Sequence, residues 1–152
     1  MPEKTIEKLT NLEVSVNKNL FSITTELTMV LMVTLITEFF SRGEFPSVQG
    51  LTLFYIGILF LYSFHKEALR WLQKKGEERQ GERFVYTWII LTIILYTVNF
   101  ISHCKYSYSD DGYSLNTLND IAITALEVLA IFVITRVSKL LKISFIKKHS
   151  SD

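Results

Sequence analysis

The stretch "ITALEVLAIFVITR", residues 123–136, decides how this chain folds. Apart from Glu127 and Arg136 it carries no charge, and it belongs to an apolar run over residues 118–138. A helix of about 20 residues crosses the ~30 Å apolar core of a bilayer. The stretch therefore predicts a membrane-spanning helix with a glutamate near its centre.

Three further runs have similar length and composition, at residues 20–40, 48–64 and 84–102. The 152-residue chain is 49% apolar and 20% charged, with a mean hydropathy of +0.27, so apolar and charged residues occupy separate blocks. We expect one all-α domain, a four-span transmembrane helical bundle. Its polar parts are an arm, a loop and a tail, at residues 1–19, 65–83 and 139–152.

The cations are distributed unevenly between the two sides of this bundle. Fourteen of the sixteen Lys and Arg residues lie in the arm, in the 65–83 loop or at the C-terminal end, and only Arg42 and Lys105 lie in the other two connections. The positive-inside rule places cation-rich segments in the cytoplasm. The sequence therefore predicts a multi-pass protein of the cell inner membrane with both termini in the cytoplasm.

Polar residues form a stripe at helical spacing on each of the last two runs. The fourth run carries Asp120, Thr124 and Glu127, and the third carries Trp88, Thr92, Tyr96, Asn99 and His103. For antiparallel helices, Glu127 is expected level with Thr92 and Tyr96, and Thr124 level with Asn99. Asp120 and His103 are expected as a pair at the outer face. Since polar residues within a membrane face other helices or water, we expect the stripes to meet.

Glu127, together with Glu26 in the first run, has two interpretations. The two carboxyls could line a path for protons or cations, because ionisable residues inside a membrane commonly mark such paths. They could instead be neutral, hydrogen-bonded links between helices. Both interpretations stay open at this point.

The 65–83 loop is the candidate surface for a cytosolic protein partner or for anionic lipid. Its residues of interest are Lys66, Arg70, Trp71, Lys74, Lys75, Arg79 and Arg83. Clustered cations beside a membrane attract anionic headgroups, although they also serve simply to set topology. No nucleic-acid binding is expected, because Glu67, Glu77, Glu78 and Glu82 are interleaved with the cations.

No motif for catalysis stands out in the sequence. We find no phosphate-binding glycine loop, no His/Cys cluster at metal-ligand spacing and no plausible nucleophile triad. The single cysteine, Cys104, cannot form a disulfide within the chain. We therefore expect a protein that is not an enzyme and that binds no cofactor and no metal.

The layout resembles a known family. A basic central loop leads into "ERFVYTWIILTIIL" at residues 82–95, and the fourth run closes in "FVITRVSKLLK" at residues 132–142. This arrangement is similar to the phosphate-starvation-inducible E family (PsiE-like) of small four-span inner-membrane proteins. The resemblance implies the fold and assigns no functional residue.

The layout is also similar to that of small membrane subunits of bacterial phage-defence systems. We therefore expect a membrane partner or effector in a stress response or in antiviral defence, which docks a cytosolic protein or alters membrane permeability. The expected partners are membrane lipids, further copies of the chain in a homo-oligomer, and a cytosolic protein. The alternative is a proton or cation conduit built on the intramembrane glutamates.

Overall fold

Four long helices account for most of the chain in the computed structural model, which describes residues 3–48, 50–71 and 80–149. They are α1 (Glu3–Phe40), α2 (Leu51–Trp71), α3 (Gln80–Ile101) and α4 (Thr117–His149). A 3₁₀ turn at Lys105–Ser107 and an isolated β-bridge between Tyr108 and Ser114 shape the connection between α3 and α4. The all-helical fold expected from the sequence is confirmed for the described residues.

Three of these helices are long and apolar enough to cross a membrane. The qualifying segments are Ser15–Phe40 in α1, Gly81–Ile101 in α3 and Thr117–Lys142 in α4. The apolar part of α2 ends at residue 64 and is followed by charged residues. Its 14 residues measure about 21 Å, less than a ~30 Å hydrocarbon core. The chain has the helices of a membrane protein, and a fourth crossing by α2 stays a prediction.

Two helices continue well past the apolar runs that predicted them. The arm at residues 1–19 is not separate from the first run, because α1 is one continuous helix from Glu3 to Phe40. Similarly, α4 continues beyond residue 138 to His149 and measures about 50 Å. Lys, Glu and Leu favour helix in water as well as in lipid. Hydropathy therefore marked only the apolar part of each helix.

The helices pack in the order α1, α2, α4, α3 around the bundle. α2 packs against both α1 and α4, and α4 packs against α3. The rings of Phe21 on α1 and Phe84 on α3 meet edge to face at 5.9 Å, which closes the arrangement. We call the end with residues 41–50 and 102–116 the loop end, and the opposite end, where α1 begins and α4 finishes, the terminal end.

The interior is filled by large side chains at every level. Fully buried examples are Leu31, Leu35, Phe39, Tyr55, Tyr62, Trp88, Leu95 and Ile121. Lipid tails are as apolar as these side chains, so the hydrophobic effect does little to hold helices together inside a bilayer. Close packing and interhelical hydrogen bonds must stabilise the bundle there.

At the loop end, α1 finishes in a tight reversal. The backbone N–H of Arg42 donates to the carbonyl of Phe39 at 3.3 Å, and the N–H of Gly43 donates to the carbonyl of Glu38 at 3.0 Å. Arg42 and Gly43 both have positive φ, 55° and 82°. This pair of bonds is the Schellman ending of a helix, which satisfies the last carbonyls and turns the chain towards α2.

Candidate functional site

The two membrane-run glutamates lie on the outside of the bundle. Glu127 is exposed on α4, and within the described residues its carboxylate has no hydrogen bond and no ion pair. Glu26 is exposed on α1, and its carboxylate accepts a hydrogen bond of 3.4 Å from the hydroxyl of Ser22. Both acids therefore face whatever surrounds the bundle: lipid, water or another protein.

The threonines of the two stripes bond within their own helices. Thr92 donates to the carbonyl of Trp88 at 2.8 Å, and Thr124 donates to the carbonyl of Asp120 at 2.7 Å. A hydroxyl that bonds the carbonyl four residues earlier has used its only proton. Although Thr124 is fully buried, neither threonine donates a hydrogen bond to the facing helix.

Tyr96 and Asn99 on α3 have different surroundings. Tyr96 is 46% exposed and has no hydrogen bond in the part of the chain that is described. Asn99 is buried and directed towards the loop end, where its amide nitrogen donates to the hydroxyl of Ser107 at 2.9 Å. Its amide oxygen accepts from the N–H of Tyr106 at 3.2 Å. Asn99 thus holds the start of the α3–α4 connection.

Asp120 and His103 are both exposed at the loop end, and no hydrogen bond or ion pair joins them among the described residues. His103 instead takes part in the ending of α3, where its N–H donates to the carbonyl of Phe100 at 3.1 Å. Its φ of 53° lies in the left-handed region that such an ending requires.

A buried polar network links the first three helices, and the sequence analysis missed it. The indole N–H of Trp88 on α3 donates to the hydroxyl oxygen of Tyr55 on α2 at 2.9 Å. The hydroxyl oxygens of Tyr55 and of Thr28 on α1 lie 3.3 Å apart, within hydrogen-bond distance. A buried Tyr or Trp normally needs a partner for its polar atom. The available signal was the presence of these polar-tipped side chains inside two apolar runs, Tyr55 near the centre of residues 48–64 and Trp88 in the first part of residues 84–102.

Glu38 ties three elements together at the loop end. One oxygen of its carboxylate accepts from the backbone N–H of Ser47 at 3.0 Å. The other oxygen accepts from the hydroxyl of Thr117, the first residue of α4, at 3.0 Å. The acid therefore joins the end of α1 to the α1–α2 connection and to the start of α4.

Arg42 binds the α3–α4 connection at the loop end of the bundle. Its guanidinium donates to the carbonyls of Tyr108 and Ser109, both at 2.9 Å, and forms an ion pair with Asp110. One of the two loop-end cations thus has a structural partner. The loop end is a closed, hydrogen-bonded cap.

Charged groups concentrate at the terminal end. Glu67 pairs with Arg70 on α2, Lys142 on α4 donates to the carbonyl of Arg70, and Arg136 pairs with Glu82. These contacts link α2 to α4 and α4 to α3. A cavity of about 40 Å³ lies between Glu67, Arg70, Glu82 and Arg136, and Tyr62 and Phe132 also line it.

Four of the seven proposed contact residues between positions 65 and 83 are described, and all four lie on helices: Lys66, Arg70 and Trp71 on α2 and Arg83 on α3. The ammonium of Lys66 lies 5.8 Å from the centre of the Tyr62 ring, and Arg83 is exposed. The indole of Trp71 reaches the hydroxyl of Ser138 at 3.4 Å. Lys74, Lys75 and Arg79 lie outside the described residues.

A larger apolar groove runs between α2 and α4 near the terminal end, with a volume of about 410 Å³. We call it the α2–α4 groove. Its apolar walls are Phe60, Phe64, Ala68, Trp71, Ile131 and Ile134. Ser63, Glu67, Thr135 and Ser138 add polar atoms to the lining.

The titratable side chains of the described region form no obvious metal centre. Nowhere in that region do three or more His, Cys, Asp or Glu side chains come close enough to hold a metal ion. Cys104 is a free, exposed thiol. Among the described residues, polar and charged groups are concentrated in three places. These are the exposed carboxyls of Glu26 and Glu127, the hydrogen bonds at the loop end, and the charged side chains at the terminal end.

No family model, no curated protein and no solved structure matches the chain.

Proposed function

We propose that this protein is a non-enzymatic membrane partner or effector that assembles from several copies in the inner membrane. The observation that supports this most is the outward position of Glu127 and Glu26 on otherwise apolar helix faces. A charged side chain near the centre of a bilayer costs ~3 kcal/mol or more. Cover by another helix, or by water held between copies, removes much of that cost.

Four spans with both termini in the cytoplasm remain our proposal for the topology. Arg42 after α1 contacts the connection that follows α3, so α1 and α3 finish at the same end of the bundle. The chain must therefore return along α2, which packs beside α1 and α4. Long cationic side chains such as those of Lys66 and Arg70 can reach the headgroup level while their stems stay in apolar surroundings. The biased distribution of cations supports the orientation.

Docking of a cytosolic protein is assigned to the terminal end. There α4 extends about 10 Å beyond the last residue of its membrane-capable segment, to His149. The described cations Lys66, Arg70, Arg83, Arg136, Lys139 and Lys142 lie at this end and offer contacts to an acidic partner. The roles in stress response or antiviral defence stay predictions, which rest on the resemblance of the layout to the phosphate-starvation-inducible E family and to small membrane subunits of phage-defence systems.

The alternative function is a proton or cation conduit. The interior of a single chain is filled at mid-depth by Tyr55 and Trp88, both fully buried, and the two acids lie outside it. A conduit that uses Glu127 and Glu26 must therefore run between copies of the chain. This alternative requires assembly just as the first proposal does, but it adds ion flux as a consequence.

Reconstitution of the purified chain separates these functions. Mass photometry in lipid nanodiscs should show more than one copy per particle, and a lysate pull-down with the reconstituted protein should recover a specific cytosolic partner. Proteoliposomes loaded with a pH-sensitive dye then test for flux. Rapid, ionophore-like dissipation of a proton gradient by this chain alone would favour the conduit. A strictly single-copy particle would contradict both functions.

A further inference from the structure

We propose that the α2–α4 groove holds one acyl chain of an aminophospholipid. The phosphate of its headgroup lies at Arg70 and Lys142, and its ammonium group lies at Glu67. This site is independent of the number of copies in the assembly, so it can be tested whether or not the proposed function holds.

The groove has the shape and lining for a hydrocarbon chain. Its volume of about 410 Å³ compares with small-molecule pockets, and its side chains include Phe64, Trp71 and Ile134, which are 66%, 47% and 62% exposed. A chain lying in a groove between two helices contacts both walls, whereas a chain on a convex helix face contacts only one. Summed dispersion contacts therefore favour the groove over the neighbouring surface.

One end of the groove is at the level expected for lipid headgroups. The indole N–H of Trp71 lies 3.4 Å from the hydroxyl of Ser138, near the last residues of the membrane-capable segment of α4. Tryptophan is enriched at this depth because one part of its ring is apolar and its N–H is polar. A lipid whose chain fills the groove therefore places its headgroup just beyond Trp71.

Two cations lie close to that position, although Arg70 lines the 40 Å³ cavity and not the groove. Arg70 directly precedes Trp71 on α2, and Lys142 follows Ser138 by about one turn of α4. Arg70 uses one guanidinium N–H on Glu67, and its backbone carbonyl accepts from the ammonium of Lys142. Arg70 carries four other guanidinium N–H groups, and an ammonium has three donors in all. A phosphate between the two side chains gains charge-assisted hydrogen bonds without breaking the contact that links α2 to α4.

Glu67 supplies the chemistry that selects among phospholipids. One of its carboxylate oxygens accepts from Arg70, while the other, Oε1, is buried and has no hydrogen-bond partner within the described residues. The side chain is 12% exposed and lines both the groove and the 40 Å³ cavity. Because Oε1 is covered in this conformation, the carboxylate must turn about its side-chain bonds to present the oxygen to the groove. A primary ammonium can then donate an N–H to it, whereas the quaternary ammonium of a choline headgroup has no N–H. Glu67 therefore favours ethanolamine over choline.

The site is tested by quenching of tryptophan fluorescence with lipids whose acyl chains carry bromine. Trp71 lines the groove, whereas the second tryptophan, Trp88, is fully buried. The protein is placed in phosphatidylcholine vesicles, and brominated phosphatidylethanolamine or brominated phosphatidylcholine is added at equal mole fractions. The Trp71→Phe variant supplies the background from Trp88. We expect the ethanolamine lipid to occupy the site roughly two- to fivefold more strongly, the range of a partly screened charged contact.

Matched variants separate the contributions of headgroup and groove. Glu67→Gln should bring the ratio between the two lipids to about one, whereas Glu44→Gln, at an exposed acid in the α1–α2 connection, should leave it unchanged. Ala68→Phe fills the groove and should reduce quenching by both lipids. Ala130→Phe, on the outward face of α4, is its control.

Equal occupancy by the two lipids in the unmodified protein would overturn the proposal and would leave Oε1 to a water in the 40 Å³ cavity. Stronger quenching by brominated phosphatidylglycerol than by the ethanolamine lipid would also overturn it, because the cations alone would then select the headgroup. Circular dichroism and size exclusion confirm that each variant is folded. If Glu67→Gln does not fold, two results still decide: the ratio between the two lipids in the unmodified protein, and the comparison of Ala68→Phe with Ala130→Phe.

Discussion

The indole N–H of Trp88 donates a 2.9 Å hydrogen bond to the hydroxyl oxygen of Tyr55, and both side chains are fully buried. The bond joins α3 to α2, and the hydroxyl of Thr28, 3.3 Å from that of Tyr55, adds α1 to the same network. Inside a bilayer, where apolar burial does not distinguish helix from lipid, such a bond specifies which helices are neighbours.

We expect Tyr55→Phe to destabilise the bundle by about 1–2 kcal/mol, because it leaves a buried indole N–H without an acceptor. The measurement is the free energy of unfolding in mild detergent titrated with a denaturing one. Tyr86→Phe is the matched control, since Tyr86 is 62% exposed. The double variant with Trp88→Phe should cost less than the sum of the single variants. Equal stabilities for Tyr55→Phe and Tyr86→Phe would contradict this role.

The second prediction concerns Gly43 at the loop end, whose positive φ is a backbone angle that glycine adopts more readily than other residues. Gly43 has a φ of 82°, and a Cβ added to it would lie 2.8 Å from Cδ2 of Leu115. Gly43→Ala should therefore cost about 1–2 kcal/mol of unfolding free energy from backbone strain alone. Gly57→Ala is the control, because a Cβ added at Gly57 in α2 would have no described atom within 4 Å apart from its own stretch of helix. It should be neutral, or stabilising by up to ~1 kcal/mol. A Gly43→Ala variant as stable as the parent would count against the reversal.

The sequence was sufficient to predict an all-helical chain and the position of its long apolar helices. Apolar runs of this length are a local signal, and three of the four predicted runs form helices able to cross a membrane. The ends were predicted less well. Charged residues that follow an apolar run can either continue the helix, as they do in α4 up to His149, or end it, and hydropathy does not distinguish these cases.

The surroundings of the polar residues could not be predicted, because they depend on which helices become neighbours. Helical spacing grouped Thr124 and Glu127 in one stripe of α4, but Thr124 is buried in the bundle and Glu127 is exposed. Depth matching placed Asn99 level with Thr124, whereas its amide group bonds to Ser107 and Tyr106 in the connection that follows. The burial of Thr124 depends on which helices pack against α4, and the bonds of Asn99 depend on how the chain turns after α3.

Topology is the third prediction. Fusions of a reporter after residues 45 and 110 should be active in the periplasm, and fusions after residue 78 and at the C-terminus should be active in the cytoplasm. The physical reason is the concentration of fourteen cations on one side. Alkaline phosphatase and a fluorescent protein, which report opposite compartments, provide the paired measurement. A periplasmic signal at residue 78 would mean that α2 does not cross the membrane.

The last prediction concerns Glu127. Since the structure places its carboxyl on the outside of the bundle, Glu127→Ala should change the unfolding free energy of one chain by less than about 0.5 kcal/mol. The same change should weaken association between copies by ~1 kcal/mol, the typical value of an interhelical hydrogen bond in a membrane. Association is measured by energy transfer between labelled chains at several protein-to-lipid ratios.

Glu127→Gln then distinguishes the two functions, because an amide keeps the size and hydrogen-bonding capacity of a neutral carboxyl but cannot titrate. If Glu127 serves assembly, the Gln variant should associate and act like the parent. If it carries protons or cations between copies, the Gln variant should associate normally and lose flux. An Ala variant that unfolds easily as a single chain, with no change in association, would instead place Glu127 inside the bundle and contradict its outward position.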